Sequence, residues 1–338
     1  MEECEKIARL AALRYVNDSI PGIKRRKYGK GFAYYYPDGS KVTDAKELQR
    51  IKAMRIPPAY HSVWICPFAN GHIQATARDT RNRKQYHYHP LWREVRDRQK
   101  FTAMIDFGRS IASIRAHIAE ELAKPPTLNK KQIICAIIFL LDQSGVRIGN
   151  KIYAKENKTY GITTLRKKHL SINGNKAVFS FTGKNSKPWE IVLDNKKVIR
   201  ILKKCEEIPG YEIFKYYDEN NTINCISSQD INYYLQSLTH FPLTAKDFRT
   251  WIASRETFYR FLSAPFAEVE LTTTVKSIIK EVAELLGHTP TICQKNYIHP
   301  DIINCWSEGK LERWVRENIE DSEVDKDRLF LAWLEQYK

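Results

Sequence analysis

Two residues in the C-terminal part of the chain have side chains suited to chemistry on a phosphate ester. His288 is followed nine positions later by Tyr297, in the segment GHTPTICQKNYIH. A tyrosine hydroxyl can attack phosphorus and hold it as an ester, and an imidazole can donate a hydrogen bond to a phosphate oxygen. A buried helix end with a satisfied histidine and a packed tyrosine would give the same pattern. The segment alone therefore does not establish an active site.

Phosphoryl transfer also needs fixed cations around the transferring group and an acid for the departing oxygen. Three segments offer cations, namely Arg147 in GVRIGN, Lys184 in TGKNSK and Arg249 in KDFRTW. Each has a structural explanation as well. Arg147 near a helix end can balance the helix dipole, and Lys184 at a hairpin tip can be simply solvated. Arg249 can pair with Asp247 or Glu256.

The surrounding pattern predicts the elements that place these residues. Apolar residues at helical spacing run from Val275 to Leu286, and Gly287 is suited to end that helix in a left-handed conformation. A strongly apolar helix over LNKKQIICAIIFLLDQSG delivers Arg147 at its C-terminal edge. Three short β runs, with a turn at Asn173-Gly174, place Lys184 in the loop before PWEIVL. A helix over 246–262 carries Arg249.

The N-terminal third is predicted to be small, basic and mostly β. Asp44 and Glu47 resemble a helix-capping pair, and Asn70-Gly71 predicts a two-residue hairpin. An extended segment from Gln85 to His89 would place two tyrosines on one face beside several cations. Such a strand suits a DNA groove, although a solvated edge strand would have the same pattern. The candidate DNA contacts are Arg78, Arg81, Arg83, Lys84, Tyr86 and Tyr88.

Composition points to a polyanionic partner. The chain of 338 residues has 55 Lys plus Arg against 39 Asp plus Glu, a formal net charge of +16. With abundant Tyr and Trp between the cations, this balance favours nucleic acid. The seven scattered cysteines predict reduced thiols in a cytosolic compartment. We expect a soluble protein without a membrane span, and no set of His and Cys has the spacing of a metal site.

Charged residues crowd between Pro90 and Lys100, and we place a domain boundary near residue 96. The predicted fold class is α+β. Residues 1–96 form a small, mainly β domain that contacts DNA. Residues 97–338 form a larger, mainly α catalytic domain with a small three-stranded sheet.

Taken together, the motifs resemble the type IB DNA topoisomerases, above all the small poxvirus-like and bacterial class. The resemblance rests on Arg147 in VRIGN, Lys184 in FTGK, Lys246 and Arg249 in KDFRT, His288 in LLGHT and Tyr297 in KNYIH. It covers nearly the whole chain and implies the catalytic fold that these enzymes share with the tyrosine recombinases.

The resemblance implies a role for each catalytic residue. Tyr297 is the nucleophile that takes the 3′ phosphate and frees a 5′ hydroxyl. Arg147, Arg249 and His288 bind the phosphate oxygens, and Lys184 is the general acid. Tyr153 and Lys246 are implied DNA contacts. The implied reaction relaxes supercoiled duplex DNA without metal, ATP or another cofactor, by a monomer that closes as a clamp, in the cytoplasm or the nucleoid of a bacterium.

Two positions depart from the viral relatives. Asn150 stands where they often have a lysine, and Asn185 where they have an acidic residue. Both positions affect the DNA site, so a strong sequence preference for cleavage is not implied. A tyrosine recombinase remains an alternative because it shares the order of catalytic residues. Recombinases usually have His-x-x-Arg where this chain has Lys246-x-x-Arg249, and their N-terminal domain is normally helical. A third alternative is an inactive DNA-binding protein that kept the fold.

Overall fold

The computed structural model describes residues 2–264, 271–318 and 325–337. The chain divides into two compact units, one up to Thr102 and one from Ala103 onward. The first unit contains a five-stranded sheet, and the second is mainly helical with a small three-stranded sheet. The predicted α+β class is therefore confirmed. The domain boundary near residue 96 stays a prediction, because that position and Thr102 both lie inside one helix.

The first unit is built around an antiparallel sheet in the order β2-β1-β3-β4-β5. Its strands are β1 (Ile23–Tyr28), β2 (Gly31–Tyr35), β3 (His61–Ile65), β4 (Ile73–Arg78) and β5 (Lys84–Tyr88), and its helices are α1 (Glu2–Leu10) and α2 (Ala45–Ala53). Ile23, Ile51 and Ile65 lie in the core between the sheet and α2. The predicted capping of α2 is confirmed, since the Asp44 carboxylate accepts a hydrogen bond from the Glu47 backbone N–H at 2.7 Å.

The two-residue hairpin predicted at Asn70-Gly71 is wrong. Strand β3 ends at Ile65 and β4 begins at Ile73, so the connection is a longer loop. Within it Gly71 forms an isolated parallel bridge with Arg14. A Cβ on Gly71 would lie 2.5 Å from the Cys66 Sγ. The glycine thus allows a close approach of the backbone to Cys66 rather than a tight turn.

Helix α3 (Pro90–Ala123) includes the charged segment between Pro90 and Lys100, where the sequence predicted only a domain boundary. Its charged first turns are rich in arginine and glutamate, which favour helix without producing an apolar face. Proline is well accepted at the first helical position because its missing N–H would have no partner there.

The remaining helices of the second unit are α4 (Lys130–Ser144), α5 (Lys151–Glu156), α6 (Lys196–Glu207), α7 (Ser228–Thr239), α8 (Ala245–Ser263), α9 (Leu271–Leu285), α10 (Pro290–Tyr297), α11 (Pro300–Ser307), α12 (Lys310–Asn318) and α13 (Lys326–Gln336). Helix α4 is buried along most of its length, as its apolar sequence predicts. Helix α8 also lies in the core, with Phe248, Trp251 and Phe258 almost fully buried. These two buried helices form the centre of the unit.

The predicted three-stranded sheet is present as β6 (Leu170–Asn173), β7 (Lys176–Thr182) and β8 (Pro188–Leu193), in the order β6-β7-β8. A second sheet, β9 (Lys215–Tyr217) with β10 (Ile223–Cys225), was not predicted because its strands are only three residues long. All seven cysteines are free thiols, as the sequence predicts. Among the described helices, none combines the length and apolar character that crossing a membrane requires.

Candidate active site

The end of helix α4 sets the position of Arg147. Gly145 caps the helix in the left-handed conformation, with φ 60°, and its N–H donates to the Leu141 carbonyl at 2.9 Å. A Cβ at Gly145 would lie 2.6 Å from a methyl group of Leu286. Glycine therefore lets the end of α4 approach the end of α9. The chain then continues to Arg147, whose carbonyl accepts a hydrogen bond from Ile162 N–H at 2.8 Å.

Arg249 lies in the buried part of helix α8, and its residue is only 3 % exposed. Its guanidinium donates to the Gly145 carbonyl and, at 2.8 Å, to the Leu286 carbonyl. These two carbonyls belong to the ends of α4 and α9, which have no further helical turn to bond them. Arg249 thereby joins three helices at one point. A third contact runs from its Nη2 to the His288 Nε2, 2.6 Å away.

The two carboxylates that could have paired with Arg249 have other partners. Asp247 accepts hydrogen bonds from the backbone and hydroxyl of Thr244 and caps helix α8. Glu256 accepts from Arg255 and Arg260. Among the described residues Arg249 has no acidic partner, and its cation lies beside Arg147. Burial first, and then the Arg147 charge, lower the pKa of Arg249 to about 10.

His288 lies between the two guanidinium groups. It follows Gly287, which has φ +62° and ends α9, and it is 5 % exposed. Arg147 Nη2 is 3.1 Å from Nδ1 and 3.3 Å from Nε2 of the ring. Burial, followed by the charges of Arg249 and Arg147, lowers the pKa of His288 to about 3. The imidazole is therefore neutral at pH 7, with a ring N–H that can be donated and a ring nitrogen that accepts from arginine.

Tyr297 is the last residue of helix α10 and completes the cluster. Its ring centroid is 4.3 Å from that of His288, at an interplanar angle of 40°, and the Arg249 Cζ lies 5.4 Å from the ring. Burial lowers the pKa of Arg147, and the nearby Tyr297 side chain acts in the opposite direction. Tyr297 itself is half-buried. Four of the five predicted catalytic residues thus converge on one site.

Lys184 is the fifth predicted residue, and it lies in the loop that joins β7 to β8. Its side chain is exposed. Its charge is close enough to contribute to the lowered pKa of His288. The loop is therefore beside the cluster, but the Lys184 ammonium is not fixed within it as the arginines are.

Sequence reasoning missed two residues that support the cluster. The Lys187 ammonium donates to the His288 carbonyl at 2.7 Å. The Ser254 hydroxyl donates to the Tyr297 carbonyl at 2.9 Å and accepts from the His299 N–H at 2.9 Å. Lys187 follows Lys184 closely in TGKNSK, which is a weak signal. Ser254 is one serine among many, and only the fold reveals its position.

The arginines proposed to contact DNA lie around the turn between β4 and β5. Arg78, Arg81 and Arg83 are all exposed. Arg78 donates to the Asn82 carbonyl at 2.8 Å, and Arg83 forms an ion pair with Asp79 at 2.7 Å. The Arg81 side chain extends from this turn. The Arg81 backbone N–H donates a hydrogen bond to the Asp79 carboxylate at 3.0 Å. The turn thus presents positive charge at the edge of the sheet.

Strand β5 carries the other predicted contacts at the edge of the five-stranded sheet. The prediction that Tyr86 and Tyr88 share one face is confirmed, because their rings are stacked with centroids 6.0 Å apart. Tyr86 is 44 % exposed, whereas Tyr88 is half-buried against Trp92. Lys84 lies over the Tyr86 ring and pairs with Asp18 at 2.6 Å. This edge therefore combines one exposed ring, that of Tyr86, with cations.

In the second unit Tyr153 is exposed on α5 and Lys246 is exposed in the first turn of α8. The two asparagines that depart from viral relatives have local structural roles. Asn150 caps α5 by accepting from the Ile152 N–H at 2.8 Å. Asn185 has φ 62°, a left-handed conformation that asparagine tolerates better than most residues. Among the described residues, no three His, Cys, Asp or Glu side chains form a group that could hold a metal ion.

Two family models match this chain. Residues 89–317 match the catalytic core of eukaryotic DNA topoisomerase I, and residues 31–79 match the N-terminal domain of bacterial DNA topoisomerase IB. The first match covers most of the chain and contains all five catalytic candidates. The chain belongs to the type IB DNA topoisomerases.

Curated relatives of this topoisomerase agree with that assignment. It is 31 % identical to DNA topoisomerase 1B of Acanthamoeba polyphaga mimivirus over 288 residues, which cover 82 % of this chain and 85 % of the viral protein. It is 25 % identical to DNA topoisomerase 1B of vaccinia virus (strain Copenhagen) over 294 residues, 80 % of this chain and 88 % of the relative. The chain is thus a DNA topoisomerase of type I, and the poxvirus-like and bacterial class fits it.

Proposed function

We propose that this topoisomerase relaxes supercoiled duplex DNA by breaking one strand, holding its 3′ end as a phosphotyrosine on Tyr297, and rejoining it. The observation that carries the proposal is the position of the Tyr297 ring against His288, within 5.4 Å of the Arg249 guanidinium carbon. A nucleophile and the groups that would bind the phosphate are adjacent in the fold. Little rearrangement is then needed before attack.

In the cleavage step the Tyr297 hydroxyl gives up its proton to water, and its oxygen forms a bond to phosphorus as the bond from phosphorus to the 5′ oxygen breaks. The negative charge of the five-coordinate transition state lies on the non-bridging oxygens. Arg147 and Arg249 donate paired N–H groups to these oxygens, and the neutral His288 donates its ring N–H. The phosphate would replace His288 as the acceptor that both arginines approach.

Lys184 gives a proton to the departing 5′ oxygen, which leaves as a hydroxyl. Its exposed position on the β7–β8 loop would allow the ammonium to reach the 5′ oxygen once DNA has bound. Religation reverses the step: the 5′ hydroxyl attacks, Lys184 takes its proton back, and the tyrosine leaves. One phosphodiester is exchanged for another, so the bond energy is retained and neither ATP nor a metal ion is used.

The DNA contacts form the second part of the proposal. The edge around β5, with Arg81, Lys84 and Tyr86, would lie on the duplex, as would Tyr153 and Lys246 of the catalytic unit. Cations there would bind phosphates, and the tyrosines would contact sugars and base edges. We propose that a monomer closes on DNA as a clamp and acts in the cytoplasm. Between cleavage and religation, the free 5′ end rotates and torsion is released.

The test is relaxation of a supercoiled plasmid that lacks any recombination site, in EDTA and without nucleotide. We expect both positive and negative supercoils to be relaxed. A detergent quench during the reaction should trap a covalent adduct, and peptide mapping should place the DNA on Tyr297. The Tyr297→Phe variant should bind DNA as the wild type does and give no adduct. An absolute requirement for magnesium, or attachment at another residue, would overturn the proposal.

A further inference from the structure

The loop between β7 and β8, residues 183–187, is tied to the turn that carries His288. The Lys187 ammonium donates to the His288 carbonyl at 2.7 Å, across 101 positions of sequence. The Lys187 carbonyl accepts a hydrogen bond from the Gly183 N–H at 2.8 Å. Lys187 therefore closes the loop with its backbone and fixes it to the catalytic turn with its side chain.

Trp189 forms a second link between the same two segments. A Cβ at Gly183 would lie 2.6 Å from the Trp189 Cδ1, and a Cβ at Gly287 would lie 2.9 Å from its Nε1. The indole is thus packed against both the loop and the turn, and it stacks on Phe181 with centroids 6.3 Å apart. Glycine is required on each side because no other residue leaves room for the ring.

The loop holds a backbone conformation that needs this support. Asn185 and Ser186 both have positive φ, 62° and 58°. Left-handed backbone costs an L-residue roughly 1 kcal/mol or more, so two in succession are unfavourable in a free loop. Lys184 immediately precedes them and is exposed. The position of its ammonium therefore depends on how the rest of the loop is held.

We propose that Lys187 is a positioning residue for the general acid: its bond to the His288 carbonyl holds the β7–β8 loop so that Lys184 reaches the 5′ oxygen of the phosphate bound by the arginines and His288. The carbonyl of His288 is a suitable anchor because the side chain of the same residue binds the phosphate. Any movement of the catalytic turn is then transmitted to the acid. The inference rests on the proposed function, in which Lys184 supplies the proton.

The test compares two DNA substrates in single-turnover cleavage. One has the natural 5′ oxygen at the scissile phosphate, and the other has sulfur in that bridging position. A thiolate leaves without a proton because thiols are much more acidic than alcohols, so the sulfur substrate does not need an acid. Lys187→Met should slow cleavage of the oxygen substrate roughly 10- to 100-fold, as a misplaced catalytic group does, and leave the sulfur substrate near the wild-type rate.

Three further variants make the comparison specific. The double variant Lys184→Ala with Lys187→Met should be no slower than Lys184→Ala alone, because a positioning residue has nothing to position once the acid is removed. Lys187→Arg keeps a charged donor and should recover most of the rate. Lys176→Met removes an exposed lysine at the start of β7, the strand that leads into the loop, and should match the wild type. If Lys187→Met does not fold, Lys187→Gln takes its place in each comparison.

The outcomes separate the two proposals. If Lys184→Ala stays slow on the sulfur substrate, the assignment of the acid itself is wrong. Two results would overturn the positioning inference. In the first, Lys184→Ala cleaves the sulfur substrate at the wild-type rate but Lys187→Met does not. In the second, the double variant is slower than Lys184→Ala by the full factor that Lys187→Met costs alone, so that Lys187 acts through the phosphate-binding groups.

Discussion

The ring of Tyr297 lies 4.3 Å from the ring of His288, and the same imidazole is 2.6 Å from a guanidinium nitrogen of Arg249. The three residues come from α10, the turn after α9 and the buried helix α8. Contacts between these elements hold them in place, such as the hydrogen bond from the Ser254 hydroxyl of α8 to the Tyr297 carbonyl. The phenol and the groups that we propose bind the phosphate are therefore preorganised, which is the property that speeds a reaction limited by charge and orientation.

The stability of the protein should depend on the neutral state of His288. Burial and the nearby cations lower the pKa of His288 from its ordinary value of 6.5 to about 3. Between these values the unfolded chain binds a proton that the folded chain does not, so this contribution is complete above pH 6.5 and is lost as pH falls toward 3. The stability of the wild type relative to His288→Gln, measured by urea unfolding, should decrease as pH falls from 6.5 to 4. A difference that stays constant over that range would contradict the lowered pKa.

Replacement of Arg249 by lysine should damage catalysis much more than stability. A single ammonium keeps the charge but cannot reach the Gly145 and Leu286 carbonyls and a phosphate in the forked geometry. We expect single-turnover cleavage to fall roughly 100- to 1,000-fold, the usual loss when a transition-state donor is removed. The loss of folding stability, measured by thermal unfolding, should be smaller than the loss of transition-state stabilisation.

Arg255→Lys is the matched control for that variant, because it lies on the same helix and its guanidinium pairs with Asp327 at 2.8 Å and Glu256 at 3.1 Å. It should lower the melting temperature and leave the cleavage rate within about threefold of the wild type, a difference of less than 1 kcal/mol in activation free energy. A catalytic loss equal to that of Arg249→Lys would show that both act through the fold.

The close contact of Gly287 with Trp189 should be measurable against a second left-handed glycine. Gly287 has φ +62° and an added Cβ would meet the indole at 2.9 Å, whereas Gly174 has φ +59° with nothing within 4 Å. Both alanine variants carry the backbone cost of about 1 kcal/mol. Gly287→Ala should lose about 1–3 kcal/mol more, because the indole must move. Denaturant unfolding of the pair checks this, and equal losses would rule out a role for the contact.

Two arginines of the β4–β5 turn should differ in their effect on DNA binding. Arg81 is exposed on the turn, whereas Arg83 is paired with the buried Asp79. Arg81→Ala should weaken DNA binding whatever the DNA sequence. It should also reduce the slope of log affinity against log salt concentration by about one, which corresponds to one phosphate contact. Arg83→Ala should mainly lower the melting temperature. Fluorescence anisotropy over a salt series gives the slopes, and an unchanged slope for Arg81→Ala would remove it from the interface.

The elements that position the site were largely readable in the sequence. The apolar helix before Gly145, the glycine after α9 and the Asn173-Gly174 turn all follow local rules of spacing and turn chemistry. Four of the five catalytic candidates were therefore assigned to the right helix, turn or loop. Local rules failed at Asn70-Gly71, where the glycine serves a close tertiary approach, and at Pro90, where charged residues form a helix without an apolar face.

The contacts that join distant segments could not be read from the sequence. Nothing in the letters around Arg249 shows that it binds the carbonyls that end two other helices, or that Lys187 reaches the backbone of His288. Such contacts depend on how helices pack, and many packings are compatible with the same periodicity. The shared face of Tyr86 and Tyr88 on β5 could be predicted because alternation along a strand is a local property.

The two guanidinium groups of the site have a neutral imidazole between them and no carboxylate beside them among the described residues. The imidazole relieves only part of their mutual repulsion, so a bound anion should lower the electrostatic energy of the site. Oligonucleotides or simple oxyanions should consequently raise the melting temperature of the protein. Substitutions that reduce the positive charge of the site should therefore stabilise the protein and lower its turnover.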